Sequence, residues 1–194
     1  MRITNRRIVE QDVYKAHQQW LNRAPGGKRA DFSDMDLSQY GMRGLNFSWA
    51  SFRGTNLKYV ALRGANLSGA DFTCANLEDA NLSGATLRGA VFHLAQMKNA
   101  ALRRSDASGC DFSGADMRGA KLNGADLSHS NLRGADLSNA ILNGVRIHKT
   151  EFHRATIDGI TLWPEDIGGP GSILCALTEE EWDYIRNMRT SRKP

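Results

Sequence analysis

No stretch of the 194 residues approaches the roughly 20 consecutive apolar residues that cross a bilayer, so no membrane span is expected. The opening segment Met1–Arg7 has no apolar run of the kind that begins a secreted chain, which points to a cytoplasmic location. Cysteine is scarce: Cys74, Cys110 and Cys175 lie far apart and suit reduced thiols better than a disulfide framework or a metal site. No set of histidines, cysteines or carboxylates has metal-ligand spacing, and the glycines form no phosphate loop, so neither a metal nor a cofactor is expected. The five histidines, His17 in a helical stretch and His93, His129, His148 and His153 at outward positions, read as solvated surface groups rather than catalysts. Catalysis therefore has little support, and a non-enzymatic role is expected.

What the chain has instead is a repeat of five residues that keeps its register without insertion from Ala30 to about Trp163. Counting from Phe32, every fifth residue to Leu162 is apolar: 14 Leu, 7 Phe, 3 Met, 2 Ile and the single Ala107. Two residues before the central position stands a small residue in most units, Ala at 16 of the 27 and Ser, Thr or Cys at five more. A period of five fits neither the 3.6 of a helix nor the 2.0 of a plain strand, so each unit is one part of a stacked array. Residues two apart share a face of an extended segment, which sends the small and the large residue of each unit inward together. Two residues after the centre, Gly occurs 13 times and Asn or Asp four times, which supplies corners that tolerate positive φ.

The number of sides follows from the phenylalanines. Six of the seven fall in one column, Phe32, Phe52, Phe72, Phe92, Phe112 and Phe152, with Leu132 at the missing step. Twenty residues at five per side make four sides, so the expected fold is an all-β solenoid of square section. At roughly 4.8 Å per coil the repeat makes about seven coils and a rod about 32 Å long.

Three units, Ala65-Asn66-Leu67-Ser68-Gly69, Ala115-Asp116-Met117-Arg118-Gly119 and Ala135-Asp136-Leu137-Ser138-Asn139, match the pattern Ala-Asp/Asn-Leu-X-X almost literally. In this the chain resembles the pentapeptide repeat proteins of bacteria and phage. The resemblance implies a right-handed quadrilateral β-helix. It also implies a binding function, of which the best known is an acidic rod that imitates duplex DNA in the saddle of gyrase.

Outside the repeat, three segments are expected. Residues 1–29 form an N-terminal helical cap, with Val9, Val13, Ala16, Trp20 and Leu21 at helical spacing. Residues 30–163 form the β-helix. Residues 164–194 form a loop and a C-terminal helix, opened by Thr178 and Glu181 as a capping box and carrying Trp182, Ile185 and Met188 on one face. A solenoid needs such caps because its ends expose an open core and unpaired strand groups. The C-terminal helix can serve as an intramolecular cap or as a homodimer contact, the latter as the resemblance to quinolone-resistance members implies.

Charge divides by side. The two sides that begin at Phe32 and Leu37 hold a net −5 among their outward residues, while the other two hold +6. The third side, from Met42, has no acid and five bases: Arg43, Arg63, Arg103, Arg104 and Lys121. With a net charge of +4 for the whole chain, mimicry of DNA, which carries one charge per roughly 1.7 Å, is weakened. Direct nucleic-acid binding lacks stacking aromatics beside the basic side. The leading reading is a protein-binding solenoid acting on a cytoplasmic partner; the alternative is a DNA mimic that inhibits or protects gyrase, a topoisomerase or a nuclease. The candidate contact is an apolar island of Val91, Leu94 and Cys74 bordered by Asp71 and Asp111 on the first side, where clustered apolar groups inside a charged rim resemble a binding hot spot.

Overall fold

A computed structural model describes residues 12–38 and 40–157. Within them, twenty-two parallel β-bridges each join residues twenty apart, as in Asp31 to Ser51, Ser51 to Asp71 and Asp71 to Val91. The bridging residue is the one before each central position, so each side of the coil meets the next through a single bridge. Around it three of the five backbone N–H groups of a unit bond to the neighbouring coils, and a fourth closes the turn. The central Phe52 N–H donates to Asp71 O at 2.7 Å, and the Asp71 N–H donates to Ala50 O at 3.0 Å. The corner N–H of Gly54 donates to Thr73 O at 2.9 Å, and the Ala75 N–H closes its turn on Phe72 O at 2.9 Å. This is a right-handed quadrilateral β-helix, the solenoid that the period of twenty predicts.

Every described corner from Asp34 to Arg154 has positive φ, and half of them are not glycine. Trp49 (φ 65), Tyr59 (φ 62) and Leu94 (φ 55) stand where a turn closed from the first residue to the fourth, with φ positive at its third, favours Gly or Asn. A left-handed conformation costs such residues roughly 1–2 kcal/mol. They hold it because the same corner N–H is locked to the next coil, Trp49 N to Ser68 O at 2.8 Å and Leu94 N to Ser113 O at 3.0 Å. Their side chains lean onto the following coil: the Trp49 ring occupies the space a Cβ on Gly69 would need, and Leu94 Cδ2 lies 2.8 Å from where a Cβ on Gly114 would stand.

The central residues fill the core. From Phe32 to Leu142 each is at most 2 % exposed. Phe52, Phe72, Phe92 and Phe112 stack with ring centroids 4.8 to 4.9 Å apart and planes within 7° of parallel, a spacing set by the coil repeat itself. Alanine fills most of the second inward column because the square section is narrow. Where that column is polar, it is satisfied: the hydroxyls of Thr55, Ser130 and Thr150 donate to Phe32 O, Ala107 O and Leu127 O at 2.7 to 2.8 Å. The Cys110 thiol donates to Leu87 O, and burial pushes its pKa up to about 12, which makes it an inert core group.

Helix α1, Val13–Leu21, lies on the first coil. Among the described residues no coil precedes it, and α1 supplies partners. The Gln18 amide donates to Asn46 O at 2.8 Å, and the Tyr14 hydroxyl accepts the Asn46 N–H at 3.5 Å. His17 corrects the expectation of a solvated surface histidine. It is fully buried, accepts the Ala30 N–H on Nδ1 at 3.1 Å, and stacks between Trp20 and Phe47. Burial lowers its pKa, with the nearby Ser48 carbonyl working the other way and Arg29 lowering it further, so the ring is held neutral. At this end Met35, an inward residue by its place in the repeat, is 42 % exposed, with no earlier coil over it among the described residues. Cys175, Thr178, Glu181, Trp182, Ile185 and Met188 lie outside the described residues.

Candidate interaction surfaces

On the first side, Val91 sits in the bridge column between Asp71 and Asp111. It is half-buried, whereas Leu94 is 52 % exposed at the neighbouring corner, with the exposed Cys74 one coil back in the same corner column. The fold thus brings the five residues onto two columns of the same side, separated by the outward column of His93, which is bound through Nδ1 to the Ser113 hydroxyl at 2.8 Å. Val91 also interrupts a pattern that the sequence reading missed.

That pattern is an Asx turn. Where the bridge residue is Asp or Asn, its side-chain oxygen accepts the N–H two residues on. Asn66 accepts Ser68 N–H at 3.1 Å, Asp71 accepts Thr73 N–H at 2.9 Å, and Asp136 accepts Ser138 N–H at 2.9 Å. The signal was present in the sequence as an Asx two residues before a Ser, Thr or Arg at fixed phase. These acids are therefore part of the turn, and several are neutralised besides. Arg53 pairs with Asp71 at 2.9 Å, Lys58 with Glu78 at 2.7 Å, Arg88 with Asp106 at 2.5 Å, Arg118 with Asp116 at 2.6 Å, Arg133 with Glu151 at 2.9 Å and Arg146 with Asp126 at 3.0 Å. At Asp71, burial raises the pKa, but the Thr73 hydroxyl and N–H and then Arg53 outweigh it and hold the carboxyl below its ordinary range.

The third side differs. Arg43, Arg63, Arg103, Arg104 and Lys121 make no ion pair among the described residues, and no acid is within their side to offer one. Two aromatic residues that the charge-sorted reading passed over are the most exposed large apolar groups among the described residues, Trp49 at 58 % and Tyr59 at 53 %. Both are corner residues in register, and they stand at different corners of the section. No group of three or more histidines, cysteines or carboxylates among the described residues is placed to hold a metal ion, and no described helix is long and apolar enough to cross a membrane.

A corner every five residues, a coil every twenty and a small-large inward pair in each unit define a class of β-solenoid. The chain belongs to the pentapeptide repeats, whose family model matches in eight copies over residues 30–69, 50–89, 70–106, 95–134 and 120–159. Proteins of this family are generally structural or binding proteins. Similar solved structures include the plasmid-mediated fluoroquinolone resistance protein QnrB1 (17 % identity over 69 % of this chain and 87 % of that one, TM-score 0.40). Others are a pentapeptide repeat protein from the thylakoid lumen of Arabidopsis thaliana (22 %, 75 % and 92 %, TM-score 0.40) and Rfr23 from the cyanobacterium Cyanothece (25 %, 74 % and 90 %, TM-score 0.23). Among curated proteins there is no match.

Proposed function

We propose that this chain is a non-catalytic, protein-binding β-solenoid that modulates a cytoplasmic partner protein, with Val91, Leu94 and Cys74 as the apolar centre of the contact and Asp71 and Asp111 as its rim. The observation that carries the reading is Leu94: a half-exposed leucine held at φ 55, one coil before a corner that uses Gly114. The coil geometry needs no leucine there, and an apolar residue kept at a costly backbone position is what a binding contact, not the fold, asks for. Val91 departs from the Asx pattern in the same apolar direction three residues away. The reading as a DNA mimic directed at gyrase, a topoisomerase or a nuclease is the weaker one, because acids tied into turns and paired with Arg or Lys project little net negative potential. Trp182, Ile185 and Met188 remain the candidate dimer contact, for which sedimentation of Trp182→Glu against the parent chain is the direct measurement.

The test of the contact is Val91→Lys with Leu94→Glu, both at outward positions. The melting temperature should stay within a few degrees of the parent, while the proteins captured from the native host, identified by mass spectrometry, should lose their enriched partner. Capture at parental strength would place the contact elsewhere, and inhibition of gyrase supercoiling by the parent chain that survives the double substitution would favour the DNA-mimic reading.

A further inference from the structure

The third side carries a groove of about 440 Å³ walled by Arg63, Arg103 and Arg104. The repeat builds it simply. In the column one residue past the centre, Arg63, Ser83 and Arg103 follow one another on successive coils, so two arginines flank a serine. The corner at Gly84 has no side chain, and nothing stands within 4 Å of where its Cβ would be, which leaves one wall open. Arg104 leans over the next coil, its Cγ 3.4 Å from the space above Gly124.

The lining is made almost wholly of donors. The three guanidinium groups have no carboxylate partner among the described residues. Asn81 and Asn123 also border the groove, and the Asn81 oxygen is already taken by the Ser83 N–H at 3.1 Å, which leaves its amide N–H groups. Several serines at the equivalent position on other sides, among them Ser68, Ser108 and Ser138, donate their hydroxyls to the Asx oxygen of their own turn at 2.5 to 2.8 Å. Ser83 makes only the backbone bond, so its hydroxyl is available to the groove. Three uncompensated positive charges with amide and hydroxyl donors between them repel one another until an anion joins them. No aromatic or apolar side chain lines the groove, so it offers neither a stacking face for a base nor an apolar anchor for a protein.

We propose that this groove is a binding site for a short oligophosphate, a di- or triphosphate group lying along the rod axis across Ser83. Phosphate oxygens are acceptors only, and planar guanidinium groups bind them with two parallel hydrogen bonds. Arg63 and Arg103 are two coils apart, about 9.6 Å at the stacking repeat, so linked phosphates bridge them where one phosphate does not.

The experiment is calorimetric titration of the full chain with inorganic tripolyphosphate, pyrophosphate and orthophosphate. Tripolyphosphate should bind tightest, and Arg63→Gln with Arg103→Gln should weaken it about tenfold or more, whereas Arg53→Gln on the first side should leave it unchanged. All three arginines are exposed, and unchanged melting temperatures would show that the variants fold. Equal affinity in the double variant overturns the proposal, as does equal affinity for orthophosphate and tripolyphosphate. An oligoglutamate that binds as tightly as tripolyphosphate would make the groove an acidic-peptide site, and tighter binding of a mixed-sequence single-stranded DNA would make it a nucleic-acid site; either result removes the oligophosphate assignment. The Val91→Lys, Leu94→Glu protein should bind tripolyphosphate as the parent does, so loss of partner capture and loss of anion binding are separable.

Discussion

The second and third sides of the rod are alike within and unlike without. Leu57, Leu77, Met97 and Met117 line one, Leu62, Leu82, Leu102 and Leu122 the other, and all are fully buried. Their ladders match as well, with Leu77 N bound to Gln96 O at 2.7 Å and Leu82 N to Ala101 O at 2.8 Å. The bridge column is where they part. On the second side Asp36, Asn56, Asn76, Asp116 and Asp136 each accept the N–H two residues on. On the third side the column reads Gly41, Ala61, Asn81, Ala101, Lys121 and Ile141, and Asn81 alone makes that bond. Core and ladder therefore do not require the Asx turn. The turn is what places most aspartates on the surface, so the third side, which makes it at Asn81 alone, presents no acid beside its five bases.

The largest effect tests the likeness. Leu77→Ala and Leu82→Ala remove equivalent buried side chains and should each cost about 2–5 kcal/mol, by matching amounts, in denaturant unfolding. A much cheaper Leu82→Ala would mean that the third side is held less tightly than its ladder indicates.

The next effect tests the difference. Asp136→Ala removes the acceptor of the Ser138 N–H and hydroxyl and should cost about 0.5–1.5 kcal/mol. The converse change, Ala101→Asp, offers the Arg103 N–H an acceptor it lacks among the described residues and sets a carboxylate beside the third-side arginines. It should keep or slightly raise the melting temperature while weakening tripolyphosphate binding. If Asp136→Ala melts with the parent chain, the Asx turns carry no stability and the two sides differ in charge alone.

The interior was readable in the sequence because it repeats. A column of phenylalanines twenty apart names the coil, and a small residue two before most centres names the inward pair. The surface was readable only as composition. The five bases of the third side could be counted, but the pairing of Arg118 with Asp116, or of Arg53 with Asp71 on the next coil, depends on side-chain directions that periodicity does not carry. Nor did the pattern show that an aspartate at the bridge position belongs to the backbone as much as to the solvent. Trp49, Tyr59 and Leu94 were hidden for the opposite reason: a rule that corners favour Gly, Asn or Asp does not say which corners the ladder can hold against their preference. His17 was misjudged because its burial comes from the contact of α1 with the first coil, between residues 13 or more apart in sequence.

The smallest effect is a pH dependence confined to the sides that carry Asx turns. Asp36 has its pKa held below the ordinary 3.8, first by the Ser38 N–H, then by the Ser38 hydroxyl and the Asn56 amide, with slight burial opposing them. A carboxyl whose folded pKa is depressed binds its proton more weakly in the folded state than in the unfolded chain. Its contribution is therefore complete above the unfolded value and is lost as pH falls below 3.8 toward the folded one. Asparagine keeps the acceptor oxygen of the turn, as Asn66 does with Ser68 N–H at 3.1 Å, but does not titrate. Urea unfolding of Asp36→Asn between pH 2.5 and 6 should thus show a shallower loss of stability below pH 4 than the parent, with little difference at pH 6. The third side has no described acid to lose, so Arg63→Gln should leave the shape of the acid limb unchanged. Superimposed acid limbs for Asp36→Asn and the parent would mean that the carboxylate serves the turn no better than an amide, and the second side would owe its aspartates to something other than backbone chemistry.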